Sequence, residues 1–242
     1  MVTPRCGVTL SAMLDISAPP PRPLVAASIL SADFGRMADE CRDILDKGAD
    51  LLHLDVMDGH FVPNLTMGQD MIRSLRNNFP EVFLDVHLMV ERPADYIDSF
   101  AEAGADLFSF HIEVCKPLHS DGVNADFLID RIHRAGMAAG MAINPPTSVE
   151  VIGSWLSGLD LVLVMSVDPG RSGQRFMPQV LDKARWLKPR VGGAVRLEMD
   201  GGLSPQTAPR AVAAGVDVLV TASALFGAHD RSAVIGALHG AA

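Results

Sequence analysis

The chain has 242 residues, 48% hydrophobic and 20% charged, with a formal net charge of −9. That composition suits a globular protein able to bury its own core, and the acidic balance is a poor match for nucleic acid or an anionic membrane. Three scattered cysteines, Cys6, Cys41 and Cys115, argue against a disulfide framework or a thiolate zinc site and for a reducing, cytoplasmic setting.

In residues 1–23, Asp15 and the prolines Pro19, Pro20, Pro21 and Pro23 interrupt any apolar stretch of signal-peptide length. The segment reads as a loose N-terminal extension, with Met13 as an alternative start. No apolar run is long enough to cross a bilayer. From 24 to 242, short apolar runs alternate with amphipathic stretches. Strands are expected at 24–30, 50–57, 82–89, 106–112, 137–143, 160–167, 195–200 and 216–222. Helices are expected at 34–47, 68–78, 94–103, 125–135, 148–156, 176–188, 205–214 and 231–238. Asp33 can cap the first helix. Pro93, Pro178 and Pro205 sit near helix starts, where a missing N–H costs least. Gly48-Ala-Asp, Gly104-Ala-Asp and Gly215-Val-Asp each follow a helix and precede a strand, as a left-handed helix end would. Strands alternating with helices make a parallel sheet. Eight such units in one domain favour a closed (β/α)₈ TIM barrel, and that fold places its active site at the C-terminal ends of the strands. No Gly-x-Gly-x-x-Gly follows the first strand, which weakens a dinucleotide-binding alternative.

At those ends the polar residues concentrate. Strand alternation puts His53, Asp55 and Met57 on one face of the second strand and Asp85, His87 and Met89 on one face of the third. Asp200 ends the seventh. The imidazoles and carboxylates of His53, Asp55, His87 and Asp200 suit one divalent zinc, iron, manganese or cobalt ion. Asp55 and Asp200, from opposite sides of a barrel, suit moving a proton off one face of a small substrate and onto the other; the bland alternative is that they only balance the metal. His111 ends the fourth strand, near the same place. Phosphate has three candidate binding segments: the loop 167–174 after strand six, Gly201-Gly202 after strand seven, and Ala222-Ser223-Ala224 after strand eight. Met57, Met89 and Met165 at strand ends suit an apolar ceiling over a substrate, or simply core filling.

Ser28-Ile-Leu-Ser-Ala-Asp-Phe, Leu52-His-Leu-Asp-Val-Met-Asp-Gly-His-Phe-Val-Pro-Asn, Asp85-Val-His-Leu-Met-Val, Met165-Ser-Val-Asp-Pro-Gly and Met199-Asp-Gly-Gly resemble the ribulose-phosphate 3-epimerase family, over about residues 24–227. The resemblance implies a ribulose-phosphate-binding TIM barrel that interconverts D-ribulose 5-phosphate and D-xylulose 5-phosphate through an enediolate, as in carbohydrate metabolism by the pentose phosphate pathway. It implies that His53, Asp55, His87 and Asp200 hold the metal and that Asp55 and Asp200 double as acid and base. Ser28, His87, Met57, Met89 and Met165 would touch the substrate. Gly170, Ser172 and Gly173 of the closing loop, with Gly201, Gly202, Ala222 and Ser223, would face the phosphate. The family commonly forms homo-oligomers.

The chain departs from the family pattern in places. Arg171 and Ser172 stand where the loop usually carries Phe-Gly, Ala222 where glycine is frequent, and Ala27 where proline is usual; the stretch 115–124 is also unusual. These changes leave open a six-carbon substrate such as allulose 6-phosphate. A non-catalytic sugar-phosphate-binding barrel is a further alternative, although none of the acid–base or ligand residues is lost. A decarboxylase on this scaffold would want a strand-end lysine, and Lys47, Lys116, Lys183 and Lys188 fall in helices or loops.

Overall fold

The computed structural model describes residues 14–241; residues 1–13 of the expected extension, with Cys6 and Met13, and residue 242 lie outside the described residues. Its strands are β1 Leu24–Ser28, β2 Leu51–Met57, β3 Leu84–Met89, β4 Leu107–His111, β5 Ala138–Ile143, β6 Leu161–Met165, β7 Arg196–Asp200 and β8 Val218–Thr221. All pair in parallel and close into a barrel in the order β1-β8-β7-β6-β5-β4-β3-β2. The helices are α1 Met37–Asp46, α2 Gln69–Asn78, α3 Ile97–Ala103, α4 Ala125–Arg134, α5 Leu181–Leu187, α6 Ala208–Ala213, α7 Ser223–Phe226 and α8 Arg231–His239.

The helix expected over 148–156 is absent. Two 3₁₀ turns, Val149–Ile152 and Leu156–Gly158, take its place. The β-branched Val149, Val151 and Ile152 followed by Gly153 are weak helix formers, and the stretch is short. Pro93 and Pro178 do open their segments, but as 3₁₀ turns that lead into α3 and α5. Pro205 lies outside α6, whose first turn holds Pro209 instead. Asp33 caps a 3₁₀ turn, accepting the Gly35 N–H, ahead of α1. The pattern missed α7 and a pair of two-residue strands, Cys115–Lys116 and Val123–Asn124, in the loop after β4.

Strand alternation sorts the core into two layers. Outward residues such as Leu52, Leu54, Val86, Phe108 and Met141 pack under the helices against Ile72, Leu75, Phe100 and Leu128. Each fully buried leucine among them contributes about 1.5–3 kcal/mol. Inward residues Leu24, Ala26, Leu51, Leu107, Leu161, Leu163 and Val218 fill the barrel's interior, and Ile16, ahead of β1, packs onto them. The inward polar side chains of Ser28, His53, Asp55, Asp85, His87, Ser109, His111 and Glu198 are buried further along the same strands.

The N-terminal ends of the strands are tied by a device that repeats. Asp50 donates its N–H to Val25 O and accepts the Val25 N–H on its carboxylate. Asp106 does the same with Leu84, Asp160 with Ala139 and Asp217 with Leu197. Each aspartate precedes an even-numbered strand and clamps the odd-numbered strand before it in the chain. Each also meets a basic side chain: Arg22 and His239 for Asp50, Arg76 for Asp106, His133 for Asp160, and Lys188 for Asp217. Three clamps are the Gly-x-Asp phrases read from the sequence, where Gly48, Gly104 and Gly215 all have positive φ. The fourth, Gly158-Leu-Asp160, uses the same spacing after a 3₁₀ turn. A charged clamp of this kind satisfies a strand-end N–H that otherwise has no partner.

Candidate active site

Register brings the polar residues together. β2 and β3 run level, so that His53 pairs with Asp85, Asp55 with His87 and Met57 with Met89. Ser28 on β1 pairs with His53. Across the barrel Asp200 pairs with Met165 on one side and Val220 on the other. One donor atom from each of His53, Asp55, His87 and Asp200 lies within 4.8 Å of the other three. Closure of the barrel, rather than nearness in the chain, produces this meeting.

Hydrogen bonds orient the donors. His53 Nδ1 bonds Asp85 Oδ2 at 2.5 Å. Its Nε2 is buried without a hydrogen-bond partner and lies 3.4 Å from Asp55 Oδ1. His87 Nδ1 lies 3.1 Å from the same oxygen. The other Asp55 oxygen accepts the Ser28 hydroxyl at 2.6 Å. A carboxylate oxygen facing two imidazole nitrogens, one of them a buried orphan, is a set of electron-pair donors that fits a divalent cation. The Asp85–His53 bond is the kind of support that orients a ligating imidazole.

Charge follows the same geometry. Burial opposes ionisation of Asp55, but His53 and His87 outweigh it and hold the carboxyl well below the usual range. Burial and the nearby negative charge of Asp55 push Asp200 up to about 7. Burial works against a charged His53, yet Asp85 and Asp55 raise it well above its ordinary value. Burial and neighbouring His111 bring His87 down to about 4, against the pull of Asp55. Below pH 7 the two central carboxyls thus prefer opposite protonation states, Asp55 ionised and Asp200 protonated, the separation an acid–base pair uses.

Above the cluster opens a cavity of about 260 Å³. Asp55 and Asp200 line it with Ser28, Met57, Met89 and Met165. Its other end carries Gly170, Arg171, Ser172, Gly173, Gly201, Gly202, Ala222 and Ser223, so all three phosphate candidates open onto one space. His53 and His87 are not on the lining; they are fully buried beneath it. The shape at the glycines is backbone-made. At Gly201, φ is +122°, and an added Cβ would sit 2.6 Å from Val167 Cγ2; at Gly202, φ is +63°, and a Cβ would sit 2.5 Å from Phe176 N. The loop after β6 meets the loop after β2 where Asn64 donates to Gly170 O at 3.1 Å.

The ribulose-phosphate 3 epimerase family model matches residues 24–226. The chain belongs to the ribulose-phosphate 3-epimerase family. Ribulose-phosphate 3-epimerase of Bacillus subtilis (strain 168) is 43% identical over 220 residues, spanning 89% of this chain and 98% of that protein. The cytoplasmic isoform of ribulose-phosphate 3-epimerase from Oryza sativa subsp. japonica is 43% identical over 217 residues, spanning 88% and 92%. Among solved structures, 3-keto-L-gulonate-6-phosphate decarboxylase from Vibrio cholerae aligns with a TM-score of 0.66 at 15% identity, covering 91% of this chain and 97% of that one. At that identity the likeness is one of fold.

Within this epimerase-family barrel the sequence reading overlooked one buried acid. Glu198, on the same inward face as Asp200, is fully buried, and neither carboxylate oxygen has a hydrogen-bond partner. Burial and then Asp85 raise it well above the usual carboxylate range. Together with Asp85 and His53 it forms a second tight group below the first. Alternation along Leu197-Glu-Met-Asp was the available signal. Asp85 lies on the face that alternation assigns to it, and its role is to support His53. Among the described residues no helix is long and apolar enough to cross a membrane, and Cys41 and Cys115 are buried free thiols.

Proposed function

We propose that this chain inverts C3 of a ketose phosphate, interconverting D-ribulose 5-phosphate and D-xylulose 5-phosphate. The observation that carries the reading is the pair Asp55 and Asp200, on one cavity, with donor oxygens within 4.8 Å and opposite preferred protonation. The C3 proton of a 2-ketose is acidic because the C2 carbonyl is adjacent. Ionised Asp55 takes that proton, leaving a planar enediolate. Protonated Asp200 delivers a proton to the other face, and the return reaction exchanges the roles. A divalent cation held by His53, Asp55, His87 and Asp200 would supply Lewis-acid stabilisation of negative charge on the substrate oxygens. Ser28 holds Asp55 in place through its hydroxyl. Met57, Met89 and Met165 form an apolar wall that excludes water and strengthens the electrostatics inside.

Backbone N–H groups at Gly173, Gly201, Gly202, Ala222 and Ser223 bind the phosphate, in the position a TIM barrel uses for that purpose. The six-carbon alternative, allulose 6-phosphate, rests on Arg171 and Ser172, which line the phosphate end of the cavity. Incubation with each ketose phosphate in deuterated water separates the readings. Deuterium entering C3 of the pentulose phosphate with formation of its epimer supports the proposal. Exchange only in the hexulose phosphate shifts the substrate, and exchange in neither removes the epimerase reading.

A further inference from the structure

The inward face of β4 sets one more imidazole against the cluster. His111 is fully buried, and its Nε2 lies 2.8 Å from His87 Nε2. Two ring nitrogens at that distance share one hydrogen, so one ring donates and the other accepts. The direction is set on the far side of His111. Its Nδ1 lies 3.1 Å from Glu113 Oε2, while Glu113 Oε1 accepts the Asn144 backbone N–H at 2.8 Å. An ionised carboxylate only accepts, so His111 Nδ1 carries the hydrogen. With that hydrogen on Nδ1, His111 Nε2 is the ring's acceptor and takes the hydrogen of His87 Nε2–H. His87 Nδ1, 3.1 Å from Asp55 Oδ1, then presents a lone pair beside a carboxylate oxygen, an approach of two electron-pair donors that a bound divalent cation would relieve. Phe61 packs on the His111 ring, with centroids 4.7 Å apart and planes inclined by 43°, and limits its rotation.

We propose that His111 and Glu113 are positioning residues, which hold His87 in the tautomer whose Nδ1 lone pair faces Asp55 and a divalent cation. This rests on the metal-dependent reading above. Neither residue lines the substrate cavity, so both act through His87. The mirror arrangement stands on the other side, where Asp85 orients His53. The two imidazoles are thus supported from opposite directions, one by a carboxylate directly and the other by a carboxylate through a second ring.

The test is a Co²⁺ titration of metal-stripped protein, followed by visible absorption, for the wild type, Glu113→Ala, Glu113→Gln and His111→Phe. Loss of such a supporting group typically costs 10–100-fold in metal affinity, and a loss of about that size is expected for Glu113→Ala and His111→Phe. Glu113→Gln keeps an oxygen that accepts from His111 Nδ1–H and stays within about threefold of the wild type. If His111→Phe does not fold, the two Glu113 variants carry the comparison. Unchanged Co²⁺ affinity in both Glu113→Ala and His111→Phe, with the wild type binding Co²⁺, overturns the relay alone. A wild type that binds no divalent cation overturns the relay and the metal reading together.

Discussion

Asp55 and Asp200 lie on strands that are not neighbours in the barrel, yet their donor oxygens come within 4.8 Å on the floor of one cavity. The two carboxyls are not equivalent. Asp55 receives Ser28 and faces two imidazoles, whereas burial and repulsion from Asp55 drive Asp200 upward. Replacement should therefore have different structural costs and a similar catalytic one. Asp55→Asn and Asp200→Asn are each expected to lower kcat by about 10²–10⁴-fold, the span typical of a positioned acid or base. Asp200→Asn removes a desolvated, repelled group and should leave Tm unchanged or higher, while Asp55→Asn should lower it. Steady-state rates and thermal melts check both halves, and near-normal turnover by either variant sinks the two-aspartate mechanism.

The raised Asp200 has a consequence for stability against pH. Its folded value of about 7 exceeds the unfolded reference of 3.8, so between these limits the native state binds more protons than the unfolded one. Stability of metal-free protein must then fall as pH rises through that window. In Asp200→Asn this contribution vanishes. The Tm of the variant minus that of the wild type is expected to grow from pH 4 to pH 7 and level off above. A pH-independent difference in metal-free protein contradicts the assignment.

The site was legible in the sequence to the extent that it depends on period-two alternation. His53, Asp55, His87 and Asp200 sit at strand ends, and alternation alone puts each on the inward face. Their convergence required barrel closure, which the eight-fold alternation of elements implied. Glu198 obeys the same alternation but was masked by apolar neighbours and by the more conspicuous Asp200. The His111–Glu113 chain was out of reach, because residue spacing along a strand end does not say which ring nitrogen meets which carboxylate. The expected 148–156 helix failed for a local reason, since its apolar spacing was helical while its β-branched residues and Gly153 were not. Helix α7 is four residues long, too short to show a period.

The strand clamps predict a stability effect separate from catalysis. Asp106 accepts the Leu84 N–H and pairs with Arg76. It lies at the N-terminal end of β4, whereas Asp55 and Asp200 act at the opposite ends of their strands. Asp106→Ala strands a backbone donor and is expected to cost about 1–3 kcal/mol. Asp106→Asn keeps an oxygen for the Leu84 N–H and should lose less. Urea unfolding measures the cost, and kcat of the folded fraction should stay at the wild-type value. A kcat loss matching the loss in stability would tie the clamp to the chemistry and refute this separation.

Among the described residues, Arg171 is the one lysine or arginine on the cavity lining, which otherwise offers a phosphate only neutral groups at Gly173, Gly201, Gly202 and Ser223. The two acids at the other end repel a dianionic substrate, so a cation at the mouth is well placed to offset them. The side chain is exposed, and water and salt screen an exposed charge strongly. Its effect should be modest and dependent on ionic strength. Arg171→Ala is expected to raise KM for the ketose phosphate by about two- to tenfold, with kcat nearly unchanged, because the group binds phosphate alike in ground and transition states. The variant should also lose much of the salt dependence of kcat/KM. Initial rates at low and high salt check both effects. An unchanged KM with an unchanged salt response would leave Arg171 outside phosphate recognition, and the backbone N–H groups would then account for it alone.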